Sequence, residues 1–335
     1  MRESRSPQPS IEVTWNVGKA TIAGTLVRPM SPSLGSGVVF AAGSGPTDRD
    51  WNSPLLPGTN GSGTLLAESL AEVGIASLRY DKSASGPHAR ENIKALGGIT
   101  MQHHTDEFAG AARVLADDSS VSADRIFGLG NSEGTLHVLN YQLSDPKVPL
   151  AGLVLVAPPG RSVGAVARAQ LAAQAAPVPK GEALLALYDE AVTRFVNGEP
   201  AAPDPSLPEG VQGLLHSLEN PMNHPFAREL WLADATSLMI QVNVPMLVVI
   251  GKKDVQVSWK DDGELLQRAA EGRDNIAFVF PEDANHVLKH ESHPVDDLRP
   301  EAVAASYNAP GSQLDESGTT AIIEWLTRHS HPSGA

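Results

Sequence analysis

The chain has no cysteine in its 335 residues. That excludes disulfides, thiolate metal sites and a cysteine nucleophile, and leaves either redox compartment open. Basic residues are in deficit: 25 Lys and Arg stand against 39 Asp and Glu, a formal net charge of −14. A chain this acidic repels phosphate backbones and anionic lipid, so neither nucleic acid nor a membrane surface is an expected partner. No apolar run reaches the roughly 18 residues of a membrane-spanning helix. Residues 1–10 are polar and lack the apolar stretch of a signal peptide, so a cytoplasmic location is expected, with secretion of a trimmed form left open.

What is present suits a large globular fold. The chain is 41% hydrophobic and 19% charged, enough for a sizeable core. Whole-chain disorder and collagen-like structure are thereby excluded. At about 150 residues per domain the length suggests two domains, although one α/β domain reaches this size alone.

Two strands are expected at residues 11–16 and 21–27, rich in Ile, Val, Thr and Trp and joined as an antiparallel hairpin. From residue 37 short apolar strands alternate with helices. Strands are expected at 37–41, 75–79, 125–129 and 150–156, with helices at 64–73, 104–115 and 133–142. Continuous apolar strands separated by helices make a parallel sheet buried on both faces. Between residues 159 and 242 no convincing strand occurs; helices are expected at 165–176, 182–196, 211–218 and 226–238. The alternation resumes with a strand at 246–250, a helix at 259–270, a strand at 276–280 and a last helix at 319–328. The expected fold is therefore a doubly wound, mostly parallel α/β sheet with an N-terminal antiparallel hairpin. Residues 1–158 and 243–335 form the core, and 159–242 a helical cap insertion, too long for an ordinary loop.

The chemistry centres on Gly130-Asn131-Ser132-Glu133-Gly134, a G-x-S-x-G pattern between an apolar strand and a helix. A turn this tight strains the serine backbone and needs small residues two positions either side. It presents the Ser132 hydroxyl above the strand ends. A serine nucleophile needs a base and an orienting acid, in the chain order Ser, Asp, His for this architecture. Asp254 and His286 each lie just past a strand end, where ligands meet open α/β sheets. Asp261, Asp262, His290 and His293 are rivals that lie in the next helix or farther from the strand end. Acyl transfer also needs two donors for the oxyanion. The backbone N–H groups of Glu133 and of Ser44, in the Gly-rich loop Ala42-Gly43-Ser44-Gly45-Pro46, are the candidates.

Several segments together resemble a known family. They are residues 43–50 (GSGPTDRD), Arg79-Tyr80-Asp81-Lys82, the Ser132 motif, residues 251–257 (GKKDVQV) and Asn285-His286. Over about residues 20–328 the chain resembles α/β-hydrolases of the bacterial esterase group related to dienelactone hydrolase, often labelled BAAT/acyl-CoA thioester hydrolase-like. It departs from that pattern at Ala42, where the family usually has His, at Asn131, also often His, and at Ser83-Ala84, commonly Arg-Gly. The resemblance implies a serine carboxylic ester hydrolase with a Ser132–His286–Asp254 triad and no cofactor, but does not specify the substrate; the charges and Pro-rich loops of the insertion point to small or short-to-medium acyl esters.

Acyl thioesterases, acyltransferases and peptidases share this machinery and remain alternatives; a non-catalytic ligand-binding member is the out-of-class one. Gly43, Asn131, Met222, Trp231 and Met239 are candidate pocket residues, although Trp and Met at helical spacing more often fill a core. His103 and His104 with Asp106 read as the start of a helix rather than a metal site, and no metal is expected. Residues 58–63 are Gly-rich but lack a phosphate-loop lysine. Asp48, Arg49 and Asp50 form a candidate ion-pair cluster beneath the oxyanion loop. The expected partner is a small-molecule ester; homo-oligomerisation stays open.

Overall fold

The apolar strands assemble as their two-sided burial requires. A computed structural model describes residues 10–29, 32–298 and 306–330; of the expected polar arm, residues 1–10, residues 1–9 lie outside that set and Ser10 opens the first strand. β1 (Ser10–Val17) and β2 (Ala20–Val27) form the antiparallel hairpin, with Trp15 opposite Ile22. β1 alternates exposed and half-buried residues, as an edge strand with one wet face should. β3 (Gly37–Ala41), β4 (Ala76–Tyr80), β5 (Ile126–Asn131), β6 (Gly152–Val156) and β7 (Met246–Val249) are buried throughout. β8 (Ile276–Val279) closes the far edge. Each fully buried aliphatic side chain contributes about 1.5–3 kcal/mol, so these central strands, not the hairpin, carry most of the core.

The eight strands run in the order β1-β2-β4-β3-β5-β6-β7-β8. β1 and β2 are antiparallel to each other and β2 to β4; all other pairs are parallel. β4 lies on one side of β3 and β5 on the other, so the winding reverses at β3. That reversal opens a crevice past the carboxyl ends of β3 and β5, where open α/β sheets take ligands.

Helices cover both faces. α1 (Ser62–Glu72) packs beside the last helix, α11 (Glu316–Ser330). α2 (Ala89–Leu96) lies against β2 and buries only Asn92, which explains why no apolar stripe announced it. α3 (Met101–Ala116) starts three residues before the expected boundary because Thr100 caps it, accepting from His103 N at 3.0 Å. α4 (Glu133–Leu143) follows Ser132 directly and packs on α3.

Between β6 and β7 come α5 (Val163–Ala175), α6 (Gly181–Val196), α7 (Glu209–Leu218), α8 (His224–Leu232) and α9 (Ala235–Met239). The expected helix at 226–238 is broken at Asp234, whose side chain accepts from Ser237 N at 2.7 Å and caps α9. Tyr188, Phe195, Leu215 and Trp231 form a hydrophobic cluster of the insertion's own. Ala235 and Met239 of α9 instead join the core of the sheet. The two linkers are laced together: Val163 N donates to Ala233 O at 3.0 Å and Ala235 N to Pro159 O at 2.8 Å. Past β7, α10 (Gly263–Ala269) begins after Asp262, a fully buried carboxylate that holds Arg161 at 2.7 Å. No helix among the described residues is long and apolar enough to cross a membrane.

Candidate active site

Ser132 stands between β5 and α4 with φ 55° and ψ −122°, a left-handed conformation costly for a residue with a Cβ. Local packing enforces it. A Cβ at Gly130 would lie 2.5 Å from the Gly134 backbone, and one at Gly134 would lie 2.3 Å from Ala41 O. Glycine at both positions lets α4 close onto β5 and β3. Ser132 N donates to Val156 O at 2.8 Å, and Thr135 Oγ1 to Ser132 O at 2.6 Å. The turn is thereby fixed from both sides.

Asp254 follows β7 and His286 follows β8. The His286 ring nitrogen Nδ1 lies 2.8 Å from Asp254 Oδ2. Asp254 Oδ1 accepts from the backbone N–H of Gln256 at 2.8 Å and of Val257 at 2.9 Å, which orients the carboxylate. Both side chains are buried. Nδ1 is engaged, so Nε2 is the ring nitrogen left for proton exchange. His286 and Ser132 line one cavity of about 170 Å³, together with Gly43, Ser44 and Asn131. No hydrogen bond joins Ser132 Oγ to the ring among the described residues; such contacts are often long without substrate. The N–H groups of Ser44 and Glu133 donate to no protein acceptor among the described residues.

The rivals lie elsewhere. His290 and His293 are more than half exposed and face Asp315 and Glu291. Asp262 is committed to Arg161, and Asp261 is exposed. Three expected pocket residues need correction. Trp231 packs in the insertion's own core, Met239 in the core of the sheet, and Met222, like both, is absent from the wall around Ser132. Helical spacing turned the first two inward to bury their large apolar surface. Arg168, on α5 of the insertion, pairs with Asp189 of α6. A larger apolar cavity of about 440 Å³ lies wholly among insertion residues near Leu184, Tyr188 and Val211, and Ser132 is not in its lining.

The expected cluster at residues 48–50 forms ion pairs across the sheet rather than within itself. Arg49 binds Asp81 at 2.7 Å and Glu12 at 2.6 Å, and Asp50 binds Arg79 at 2.9 Å. Sequence reasoning also missed a buried polar network behind the oxyanion loop. Lys82 Nζ donates to Gly43 O at 2.6 Å and to Glu133 Oε1 at 3.0 Å. His137 Nε2 shares Glu133 Oε1 at 3.0 Å. Burial opposes ionisation of Glu133, but the Lys82 charge and the His137 bond hold its carboxyl well below the usual range. Burial pushes His137 down to about 4. Glu107 is likewise buried yet held low by His104 and His103. His104, Glu133 and His137 offer donor atoms within 4.8 Å of one another. Lys82 already supplies that carboxylate with a positive charge, so the trio suits a divalent ion poorly. Trp51, Gln256 and Tyr307 also line the Ser132 cavity; Trp51 and Tyr307 belong to no local motif that would have marked them, and Gln256 lies in the 251–257 segment without having been singled out.

A sequence model of the alpha/beta hydrolase family matches residues 38–305. Esterase EstD of Thermotoga maritima is 24% identical over 278 residues, covering 80% of this chain and 58% of that protein. The chain thus spans rather more than half the length of that curated relative. A solved proline iminopeptidase from Mycobacterium smegmatis superposes with a TM-score of 0.57 at 14% identity, covering 96% of this chain and 99% of that one. The Pyrococcus furiosus esterase Pf2001 gives 0.55 at 17% identity, over 99% of this chain and 96% of that one. At these identities the solved structures show a shared fold.

Proposed function

The chain belongs to the α/β hydrolase family, and from that premise we propose that it is a serine carboxylic ester hydrolase for small acyl esters. The observation that carries this reading is the 2.8 Å contact of Asp254 with His286, which lines the cavity that also holds Ser132. His286 Nε2 takes the proton of Ser132 Oγ as that oxygen attacks the ester carbonyl carbon. The resulting oxyanion accepts from the N–H groups of Ser44 and Glu133. Asp254 Oδ2 holds Nδ1–H and stabilises the imidazolium. The tetrahedral intermediate collapses, Nε2 protonates the departing alcohol, and an acyl-Ser132 ester remains. Water then gives up a proton to Nε2 and attacks the acyl carbon; the second tetrahedral intermediate expels Ser132 Oγ, which takes that proton back from Nε2, and the carboxylic acid leaves.

A cavity of about 170 Å³ supports a short acyl group over a long one, since it falls below the range of about 300–1,000 Å³ typical of drug-sized ligands. The helical insertion, in this reading, is a cap that meets the cavity's surroundings through Gln170, whose side-chain amide donates to the carbonyl of the lining residue Gln256 at 2.9 Å. The sequence relative named as an esterase points the same way. The test is hydrolysis of p-nitrophenyl esters from acetate to palmitate by the wild type and Ser132→Ala. Turnover that peaks at short chains and drops about 10⁴- to 10⁶-fold in the variant supports the reading. Equal turnover in the two proteins, or a folded wild type inert on every chain length, overturns it.

A further inference from the structure

Lys82 is almost wholly buried, at 4% exposure, and the proposed reaction gives it no role. Burying an ammonium is expensive unless every donor finds a strong acceptor. Its two acceptors are informative. One is the carbonyl oxygen of Gly43, at 2.6 Å, and the other is a carboxylate oxygen of Glu133, at 3.0 Å. Gly43 C=O and Ser44 N–H belong to the same peptide unit. Glu133 contributes the second N–H. One ammonium thus grips both segments that face the reacting carbonyl in the proposed mechanism.

We propose that Lys82 is a positioning residue of the oxyanion site, and this rests on the serine-hydrolase reading above. It acts in two ways. The ammonium sets the spacing between the loop after β3 and the start of α4, beside the close approach of Gly134 to Ala41 and Ala42. It also withdraws electron density from the Gly43–Ser44 peptide through the carbonyl. Hydrogen bonds in such a chain reinforce one another, so the Ser44 N–H becomes a stronger donor to a negative oxygen than to a neutral carbonyl. That difference favours the transition state over the bound ester. Glu133 neutralises Lys82, and His137 completes the carboxylate's bonding, so the ammonium stays fixed without a net buried charge.

The test compares wild type, Lys82→Arg, and the double variant Lys82→Met with Glu133→Gln, which removes both charges together and so avoids stranding one. Folding is checked by circular dichroism and Tm. Expected in the folded double variant is a kcat on p-nitrophenyl acetate lower by about 10- to 10³-fold, the scale of losing one oxyanion donor. KM stays within about threefold, because the bound ester gains little from the polarised donor. Phosphonylation of Ser132 by a fluorophosphonate slows in parallel, and Lys82→Arg recovers part of the loss. The Ser44 amide proton, read by ¹⁵N–¹H correlation, moves upfield in the double variant. A folded double variant with unchanged kcat, phosphonylation rate and Ser44 resonance overturns the role of Lys82 and leaves the esterase reading standing. A wild type inert to both ester and fluorophosphonate overturns the esterase reading itself.

Discussion

Asn131 donates its side-chain amide to the backbone carbonyl of His286 at 3.0 Å, joining two residues 155 positions apart. The residue before the serine is thus a strut for the histidine loop. Asn131→Ala removes that strut and leaves a buried carbonyl short of a partner. We expect a stability loss of about 1–3 kcal/mol by urea unfolding. A kcat on p-nitrophenyl acetate about tenfold lower should accompany it, since small displacements of catalytic groups are costly. Wild-type values for both quantities in Asn131→Ala would show that the loop is held by other means.

Gly134→Ala tests the close approach of α4 to β3. The added methyl would meet Ala41 O at 2.3 Å and Ala42 O at 2.7 Å, both backbone atoms that cannot rotate away. The expected outcome is a loss of about 3 kcal/mol or more in chemical unfolding, or failure to accumulate folded protein. A variant with unchanged Tm would mean that the turn has slack the contacts do not suggest.

Arg161→Ala strips the partner from Asp262, which is fully buried while Arg161 is a quarter exposed. Leaving that carboxylate unpaired should cost about 2–4 kcal/mol, less than the full penalty because Asp262 also accepts from the backbone N–H of Arg161 and Ser258. Arg161→Ala with Asp262→Asn together should recover part of the loss, as a double-mutant cycle would measure.

Acid should weaken the fold in two stages. Burial lowers His137 from 6.5 to about 4, so between those values the unfolded chain binds the proton that the folded chain refuses. Stability from this group is full above about pH 6.5 and falls as pH drops to about 4, on the order of 2–4 kcal/mol in all. Glu133 and Glu107, both held below the ordinary carboxylate range, extend the loss below the unfolded value of 4.5. Unfolding free energy measured from pH 8 to pH 3.5 checks this. His137→Gln should flatten the upper stage and leave the lower one; an unchanged upper slope would assign it to another group.

The central strands were legible because burial on both faces leaves uninterrupted apolar runs such as Leu153–Val156 and Met246–Val249. The Ser132 turn was legible because its demands are local: glycine two residues to either side, a strand before and a helix after. α2 was not, since Asn92 is its only buried residue and no stripe marks it. Trp231 and Met239 could be assigned to helices but not to a direction, because both faces of a helix in an insertion can find apolar neighbours. The meeting of Lys82 with Gly43 and Glu133 spans 39 and 51 positions. Only the strand order brings those residues together, and no local pattern encodes it.

The lacing of the two insertion linkers has an energetic corollary. Closing a flexible loop costs entropy that grows only slowly with its length. Here the chain leaves the sheet at Pro159 and returns at Ala235 within one hydrogen bond of its departure. To β6 and β7, the segment between therefore acts as a short staple. Its length can vary among relatives at little cost to the sheet, while its Phe226, 4.6 Å from His104 ring to ring, still presses on the charged network beneath the serine.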